Sequence, residues 1–385
     1  MRALIAFDKF KDALTAREAG AAAAGSLRVR HPDWELDLCP LTDGGEGFCE
    51  TLFLHIGARI ERLTVRGPRG GTVTAPVGFV SSNTLTMAAR QRLGLASAQK
   101  LAVFGLASAS GLELLPPQRR DPWQTTTFGT GELLGYAAHE KADAILLGIG
   151  GSATNDLGLG ALTALGANCH DAQGVRIPTP TPANWESIRR IDLTALRRLP
   201  PLFIACDVTN PLLGPIGATA VFGPQKGLRP EDLPRLETHA ARIAALLCEA
   251  CGKPILLADT PGAGAAGGIA FGLMVATNAK LVPGFDLVSD WLDLPKRIAA
   301  ADLVITGEGR FDATSFGGKG PGSLVREAQR LGKPVHIFAG SLAGDQTKVA
   351  LGGVKAHAIT PAGMPLAEAL PRTAELLAHA IGRVL

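Results

Sequence analysis

Asp302-Leu303-Val304-Ile305-Thr306-Gly307-Glu308-Gly309-Arg310-Phe311-Asp312 is the stretch that decides how the chain is read. An apolar run from Leu303 to Ile305 stops abruptly at Thr-Gly-Glu-Gly. That is the pattern of a buried parallel strand ending in a tight loop. In open α/β sheets, ligands bind just beyond the carboxyl ends of such strands. Here that position carries a hydroxyl, the carboxylates of Glu308 and Asp312, and the guanidinium of Arg310, with Asp302 ahead of the strand. A loop whose only task is to turn does not need that mixture.

The arrangement recurs. Leu4-Ile5-Ala6-Phe7 runs into Asp8-Lys9-Phe10-Lys11. Leu36-Asp37-Leu38-Cys39-Pro40-Leu41 runs into Thr42-Asp43-Gly44-Gly45-Glu46-Gly47. Ala144-Ile145-Leu146-Leu147 runs into Gly148-Ile149-Gly150-Gly151-Ser152-Ala153-Thr154-Asn155-Asp156. Leu202-Phe203-Ile204-Ala205 runs into Cys206-Asp207-Val208-Thr209-Asn210. One such loop is a weak signal. The recurrence points to a single cleft lined by Asp, Gly, Asn and Lys.

The 385 residues favour two domains. With 46% hydrophobic and 19% charged residues, the chain can fill large cores. A net charge of +3 spread along the chain, with 5% aromatics, gives no electrostatic footprint for nucleic acid. Met1-Arg2 leads straight into a short strand and Asp8, too short for a secretory signal. No uncharged apolar run reaches the roughly 18 residues of a membrane span. A cytoplasmic enzyme is the expectation, with self-association left open. The six cysteines are scattered and do not form a disulfide framework. Cys248-Glu249-Ala250-Cys251 lacks the second ligand pair that zinc needs, so buried reduced thiols are expected.

Thr15-Ala16-Arg17-Glu18 is a capping box opening a helix to about Arg30. Residues 60–110 alternate as antiparallel hairpins do. A strand–loop–helix texture returns at 125–165 and 202–225, with a long helix at about 231–250. Ile255-Leu256-Leu257-Ala258 reads as a strand crowded by prolines. Clean units follow from 301, with a helix near 321–331, a strand at 335–338 and a last helix at about 366–383. The prediction is an α/β fold in which both chain ends (1–65 and 290–385) build a Rossmann-like parallel-sheet domain. A mixed α/β domain (66–289) is inserted, and the active site is expected in the interdomain cleft.

Asp43 and Glu46 sit three residues apart in a glycine-rich strand-to-helix turn. They suit Mg²⁺, which takes one or two carboxylates plus phosphate oxygens, or simply an acidic capping turn. The loop from Gly150 through Gly151 and Ser152 to Asp156 offers donors after an apolar strand, as an anion cradle needs. It is not a Walker A loop, because no Gly-Lys-Ser/Thr follows. Gly262, Gly264 and Gly267 form a Gly-x-Gly-x-x-Gly run that reads either as a phosphate loop or as close helix packing. Lys11, Lys226 and Lys319 each lie in a turn, where a lysine is either solvated or a point charge for a phosphate. Ser110 and Thr125-Thr126-Thr127 supply hydroxyls for substrate oxygens or for helix caps. The eight histidines follow no metal or triad spacing.

Taken together, the motifs resemble the bacterial glycerate kinase family, the type distinct from the sugar-kinase-like and MOFRL-containing glycerate kinases. The matching pieces are Asp8-x-Phe10-Lys11, Asp43 to Gly47, Ser110-Gly111-Leu112, Thr125 to Thr127, Gly150 to Asp156, Cys206 to Leu212, Phe222 to Lys226, Gly262 to Gly268 and Thr306 to Gly309. They run in family order across nearly the whole chain. The resemblance implies two α/β domains with the active site between them. It also implies ATP-dependent phosphorylation of D-glycerate with Mg²⁺, mostly to 2-phosphoglycerate. Three segments depart from the family pattern. Its Asp-Ser-Phe-Lys-Gly-Ser/Thr is here Asp8-Lys9-Phe10-Lys11-Asp12-Ala13. Its Thr-Asn-Asp-Gly-Gly is here Thr154-Asn155-Asp156-Leu157-Gly158. Its Ser-Gly-Lys-Ala-Pro-like segment is Gly317-Gly318-Lys319-Gly320-Pro321.

On that reading catalysis is positioning and charge stabilisation. Asp43 and Glu46 hold Mg²⁺. Lys11 and Lys226 offset charge on the γ-phosphoryl group. Gly150, Gly151, Ser152, Gly262, Gly264, Gly267, Thr306 and Glu308 cradle the nucleotide. Asp207 is the first candidate to accept the substrate proton and Asp312 the second. Arg310 forks the glycerate carboxylate, with Ser110, Asn155 and Asn210 on the substrate. The rival readings are a kinase for another small hydroxy acid or polyol, and a non-catalytic nucleotide or metabolite sensor.

Overall fold

The run after Asp302 is a strand buried at every residue, and Ala144–Gly148, Leu202–Ala205 and Val335–Ala339 are the same. Continuous burial is what a parallel strand covered on both faces requires. The computed structural model describes residues 1–385 except 43, 46, 55, 57, 313, 314, 316–319 and 343–352.

In chain order the strands are β1 (Arg2–Phe7), β2 (Glu35–Leu38), β3 (Arg59–Arg66), β4 (Thr72–Ser81), β5 (Lys100–Gly105), β6 (Ala144–Gly148), β7 (Asn168–His170), β8 (Arg176–Ile177), β9 (Arg190–Asp192), β10 (Leu202–Ala205), β11 (Lys280–Val282), β12 (Leu303–Gly307), β13 (Arg310–Phe311), β14 (Val335–Ala339), β15 (Ser341–Leu342) and β16 (Val354–Ala358). They divide between two compact units, residues 1–43 with 285–385 and residues 44–284.

The first unit holds a five-stranded sheet in the order β16-β14-β12-β1-β2, parallel throughout. The helices Ala16–Arg30 and Thr373–Val384 cover one face. Ala19, Ala23 and Leu27 of one, with Leu377 and Ile381 of the other, close over Ile5, Phe7, Ile305 and Phe338. The capping box at Thr15 and Glu18 is formed. Ser26 Oγ donates to Ala378 O at 2.7 Å, tying the two helices together. The helix Gly320–Arg330 contacts β12 and β14 through a stripe that buries Leu324, Val325 and Ala328. The expected last helix is two pieces, Leu366–Ala369 and Thr373–Val384. Pro371, inside the 3-10 turn between them, has no N–H to continue the first.

The second unit holds a six-stranded sheet in the order β11-β10-β6-β5-β4-β3. β3, β4 and β5 pair antiparallel, and from β5 to β11 the pairing is parallel. This corrects the predicted boundary at residue 65. β3 pairs with β4 along its whole length, Arg59↔Phe79 to Arg66↔Thr72, so these residues belong to the inserted unit. The inserted unit also ends at 284 rather than 289. Ile255–Asp259 is a 3-10 helix rather than a strand; Pro254 precedes it, and no ladder partner forms. The long helix Leu233–Cys251 buries Leu236, Ala240, Ile243, Ala244 and Leu247 on one stripe, as its 3.6-residue period demands. No helix among the described residues is long and apolar enough to cross a membrane.

Candidate active site

In the inserted unit β5, β6, β10 and β11 are parallel, so their carboxyl ends share one edge of the sheet. β6 and β10 each run into one of the polar loops, and β5 runs into the short helix Ala107–Ser110. The Gly44-Gly45 turn lies across them. Gly150 N–H donates to Gly44 O at 2.9 Å. A Cβ on Gly150 would meet Gly45 Cα at 2.7 Å, and one on Gly148 would meet Gly44 O at 2.7 Å. Real Cβ atoms do not approach backbone so closely, so glycine at 148 and 150 is a packing requirement.

Asp207 follows β10 and is half-buried. A Cβ on Gly284 would reach its Oδ2 at 2.9 Å, so the absence of a side chain at 284 leaves room for this carboxylate. Asn210, three residues on, is half-buried and donates from Nδ2 to Ile216 O at 2.7 Å. Ser110 was expected on substrate, but its hydroxyl is fully buried and shares a 2.8 Å hydrogen bond with Thr130 Oγ1.

The loop after β6 is interlocked with its surroundings. Asp156 is fully buried and takes four hydrogen bonds. Oδ2 accepts from Thr127 N at 2.7 Å, from Thr127 Oγ1 at 2.9 Å and from Gly160 N at 3.2 Å, and Oδ1 accepts from Gly158 N at 3.1 Å. Burial raises its pKa above the ordinary carboxylate value, and those hydrogen bonds oppose the rise. Asn155 Nδ2 donates to Thr219 Oγ1 at 3.3 Å. Asn155 Oδ1 and Thr154 Oγ1 are buried without a hydrogen-bond partner among the described residues. Lys226, expected to meet a transferring phosphoryl group, is 1% exposed and donates from Nζ to Thr154 O at 2.6 Å. Burial pushes its ammonium down to about 7, against the pull of Asp156. Sequence reasoning missed Asp156 and Thr127 as the centre of this network. Both lie in motifs it singled out, but their partnership spans 29 residues.

The glycine-rich segment at 262–268 packs rather than gapes. A Cβ on Gly264 would lie 2.1 Å from Pro211 O, and one on Gly267 would lie 2.0 Å from Thr154 O. Gly262, Ala266, Gly267 and Gly268 all take left-handed φ values. Of the two readings of this run, close packing is the one this geometry matches. The Cys248 and Cys251 thiols are free, and burial pushes both upward, Cys251 to about 11.

In the first unit the polar strand ends are those of β1 and β12. Thr306, expected on nucleotide, is fully buried and donates its hydroxyl to Ala6 O at 2.6 Å. Glu308 contributes its backbone carbonyl to Gly340 N at 3.2 Å. Arg310 Nε donates to Asp312 Oδ2 at 3.1 Å, with the arginine side chain 68% exposed. The proposed carboxylate fork and the second candidate base are thus a pair in this structure. Lys11 is exposed, and its backbone N passes 3.3 Å from where a Cβ on Gly309 would sit.

Asp43, Glu46 and Lys319 lie outside the described residues. Among the described residues no three His, Cys, Asp or Glu side chains group as metal ligands. The oxygen donors at the strand ends, Asp207 and Asn210 among them, are of the kind a hard cation such as Mg²⁺ takes.

Two of the departures from the family pattern are backbone-sensitive. Asp12 and Leu157, each standing where that pattern has glycine, both take left-handed φ, +60° and +52°.

The model of the glycerate kinase family matches residues 3–385. The chain is 38% identical to the glycerate kinase of Bacillus subtilis (strain 168), over 98% of this chain and 95% of that one. It is 38% identical to the glycerate 2-kinase of Escherichia coli (strain K12), over 92% and 89%. A crystal structure of a putative glycerate kinase 2 from Salmonella typhimurium LT2 superposes with a TM-score of 0.75 at 38% identity, covering 100% of this chain and 97% of that one.

Proposed function

The chain belongs to the glycerate kinase family and is a phosphotransferase, and from that premise we propose that it transfers the γ-phosphoryl group of ATP to a hydroxyl of D-glycerate, giving 2-phosphoglycerate, in the cytoplasm. The observation that supports this most is the convergence on one sheet edge of the Gly44-Gly45 turn, the 150–156 loop and Asp207, because phosphoryl transfer needs positioned donors and a base more than it needs covalent chemistry.

In this reading Asp207 accepts the hydroxyl proton as the oxygen attacks phosphorus. Gly284 keeps the space in which that carboxylate stands. The N–H groups of Gly151 and Ser152 face phosphate oxygens, while that of Gly150 ties the loop to the Gly44-Gly45 turn. Lys11 offsets developing negative charge, and Arg310 exchanges Asp312 for the glycerate carboxylate, a fork that suits planar anions. Asp43 and Glu46 would hold Mg²⁺, which would supply neutralisation of the phosphate charge.

The test is a ³¹P NMR spectrum of the product after incubation of the purified protein with D-glycerate, ATP and Mg²⁺. A 2-phosphoglycerate resonance is the expected outcome. A 3-phosphoglycerate resonance would keep the kinase and reverse the acid in the site. Absence of either from folded protein would sink the glycerate reading in favour of another hydroxy acid or a sensor.

A further inference from the structure

Lys226 closes the 3-10 turn Pro224–Lys226 and is among the largest fully buried side chains. An ammonium is tolerated inside a protein only where hydrogen bonds and an opposite charge compensate it. Here Nζ donates to Thr154 O at 2.6 Å, and Asp156, two residues further along the same loop, is fully buried as well. Asp156 takes its four hydrogen bonds from Thr127 and from Gly158 and Gly160. Thr127 Oγ1 also accepts from Ala161 N at 2.9 Å. The starts of the helices Phe128–His139 and Leu159–Ala164 are therefore tied to one carboxylate. Gly267 closes the other side, with Leu157 N donating to its carbonyl at 3.1 Å. The backbone of 154–157 is thus gripped at Thr154 O by Lys226, at the Asp156 side chain by two helix starts, and at Leu157 N by Gly267.

We propose that Lys226 and Asp156 are positioning residues that grip one loop from two sides: together they fix the 150–155 backbone, and Lys226 does not itself touch the transferring phosphoryl group. The inference rests on the phosphotransferase reading of that loop. It differs from a role as phosphate counter-charge, because the side chain of Lys226 is enclosed and donates to a backbone carbonyl of the loop it supports.

Two anchors on one short backbone segment do not act independently, so their losses should not add. The experiment is therefore a double-mutant cycle on the full chain: wild type, Lys226→Met, Asp156→Asn and the two combined. Two quantities are read, kcat and KM for ATP and D-glycerate, and amide hydrogen exchange of the 150–155 segment. Lys226→Met should lower kcat about 10²-fold, the scale of an ångström-sized misplacement, and speed exchange at 150–155. Adding Asp156→Asn should cost about 10-fold less than the two single losses multiplied, since the segment is already loosened. Losses that simply multiply would overturn the inference. So would a Lys226→Met protein with reduced kcat but wild-type exchange at 150–155, which would mean direct contact with substrate. A lowered melting point with unchanged kcat would reduce the pair to ordinary structural support and overturn it too. Should Lys226→Met fail to fold, the near-isosteric Asp156→Asn decides: wild-type kcat and exchange in that variant would end the proposal. Wild-type protein that never phosphorylates D-glycerate would refute the kinase reading instead, and the exchange comparison would still report on the anchor.

Discussion

The strand-end loops of the two units are built from the same residue types and are put to different uses. In the inserted unit the loop after β6 is enclosed. Gly150 is pressed against Gly45, Gly267 against Thr154, and Asp156 and Lys226 are sealed from solvent. In the other unit the loop after β12 ends on the surface, with Arg310 68% exposed and paired to Asp312. Asp, Gly and Lys together therefore do not distinguish a frame from a working surface. Burial does. Enclosed charges hold backbone in place, while exposed and half-buried ones are available to a ligand.

The largest expected effect concerns the member of the inserted unit's loops that is not enclosed. Asp207→Asn should lower kcat by about 10²- to 10⁴-fold, the range for loss of a general base. The KM for ATP should stay near its wild-type value. Steady-state kinetics decides; near-full turnover would remove Asp207 from the base role and erase the distinction between it and the enclosed Asp156.

Much of the fold could be read from the sequence. The abrupt change from apolar run to Asp-Gly loop located β1, β6, β10 and β12, because parallel strands are buried on both faces and their loops are not. The capping box and the stripe of the long helix were equally plain. The domain boundary was not, because the turn at Gly67 that separates β3 from β4 says nothing about which sheet takes the hairpin. The site was read less well. Residue type identified Ser110, Thr306 and Lys226 as groups able to bind a ligand, and all three are occupied inside the fold. Side-chain direction depends on which strands and helices meet. A partnership such as Thr127 with Asp156 has no local signal.

The same contrast of enclosed and exposed can be sharpened at the two positions where this chain has a side chain in place of the family's glycine. Leu157 is fully buried at φ +52°. A left-handed conformation costs a non-glycine residue about 1–2 kcal/mol, which Leu157→Gly would recover. Against that stand the loss of a buried leucine, about 2–5 kcal/mol for truncation, and the extra chain entropy of glycine, about 0.5–1 kcal/mol. The packing term is larger, so Leu157→Gly should destabilise the protein by about 2 kcal/mol, read as a lower denaturation midpoint.

Asp12 has the same backbone sign, φ +60°, but is exposed and has no packing to lose. Asp also tolerates the left-handed region better than leucine does, because its short polar side chain bonds locally. Asp12→Gly should therefore change stability by no more than about 0.5 kcal/mol, the usual size for a surface substitution, with the strain relieved roughly cancelling the entropy added. A destabilisation as large as that of Leu157→Gly would show that Asp12 is held by contacts its exposure does not suggest, and that burial alone does not separate the two loops.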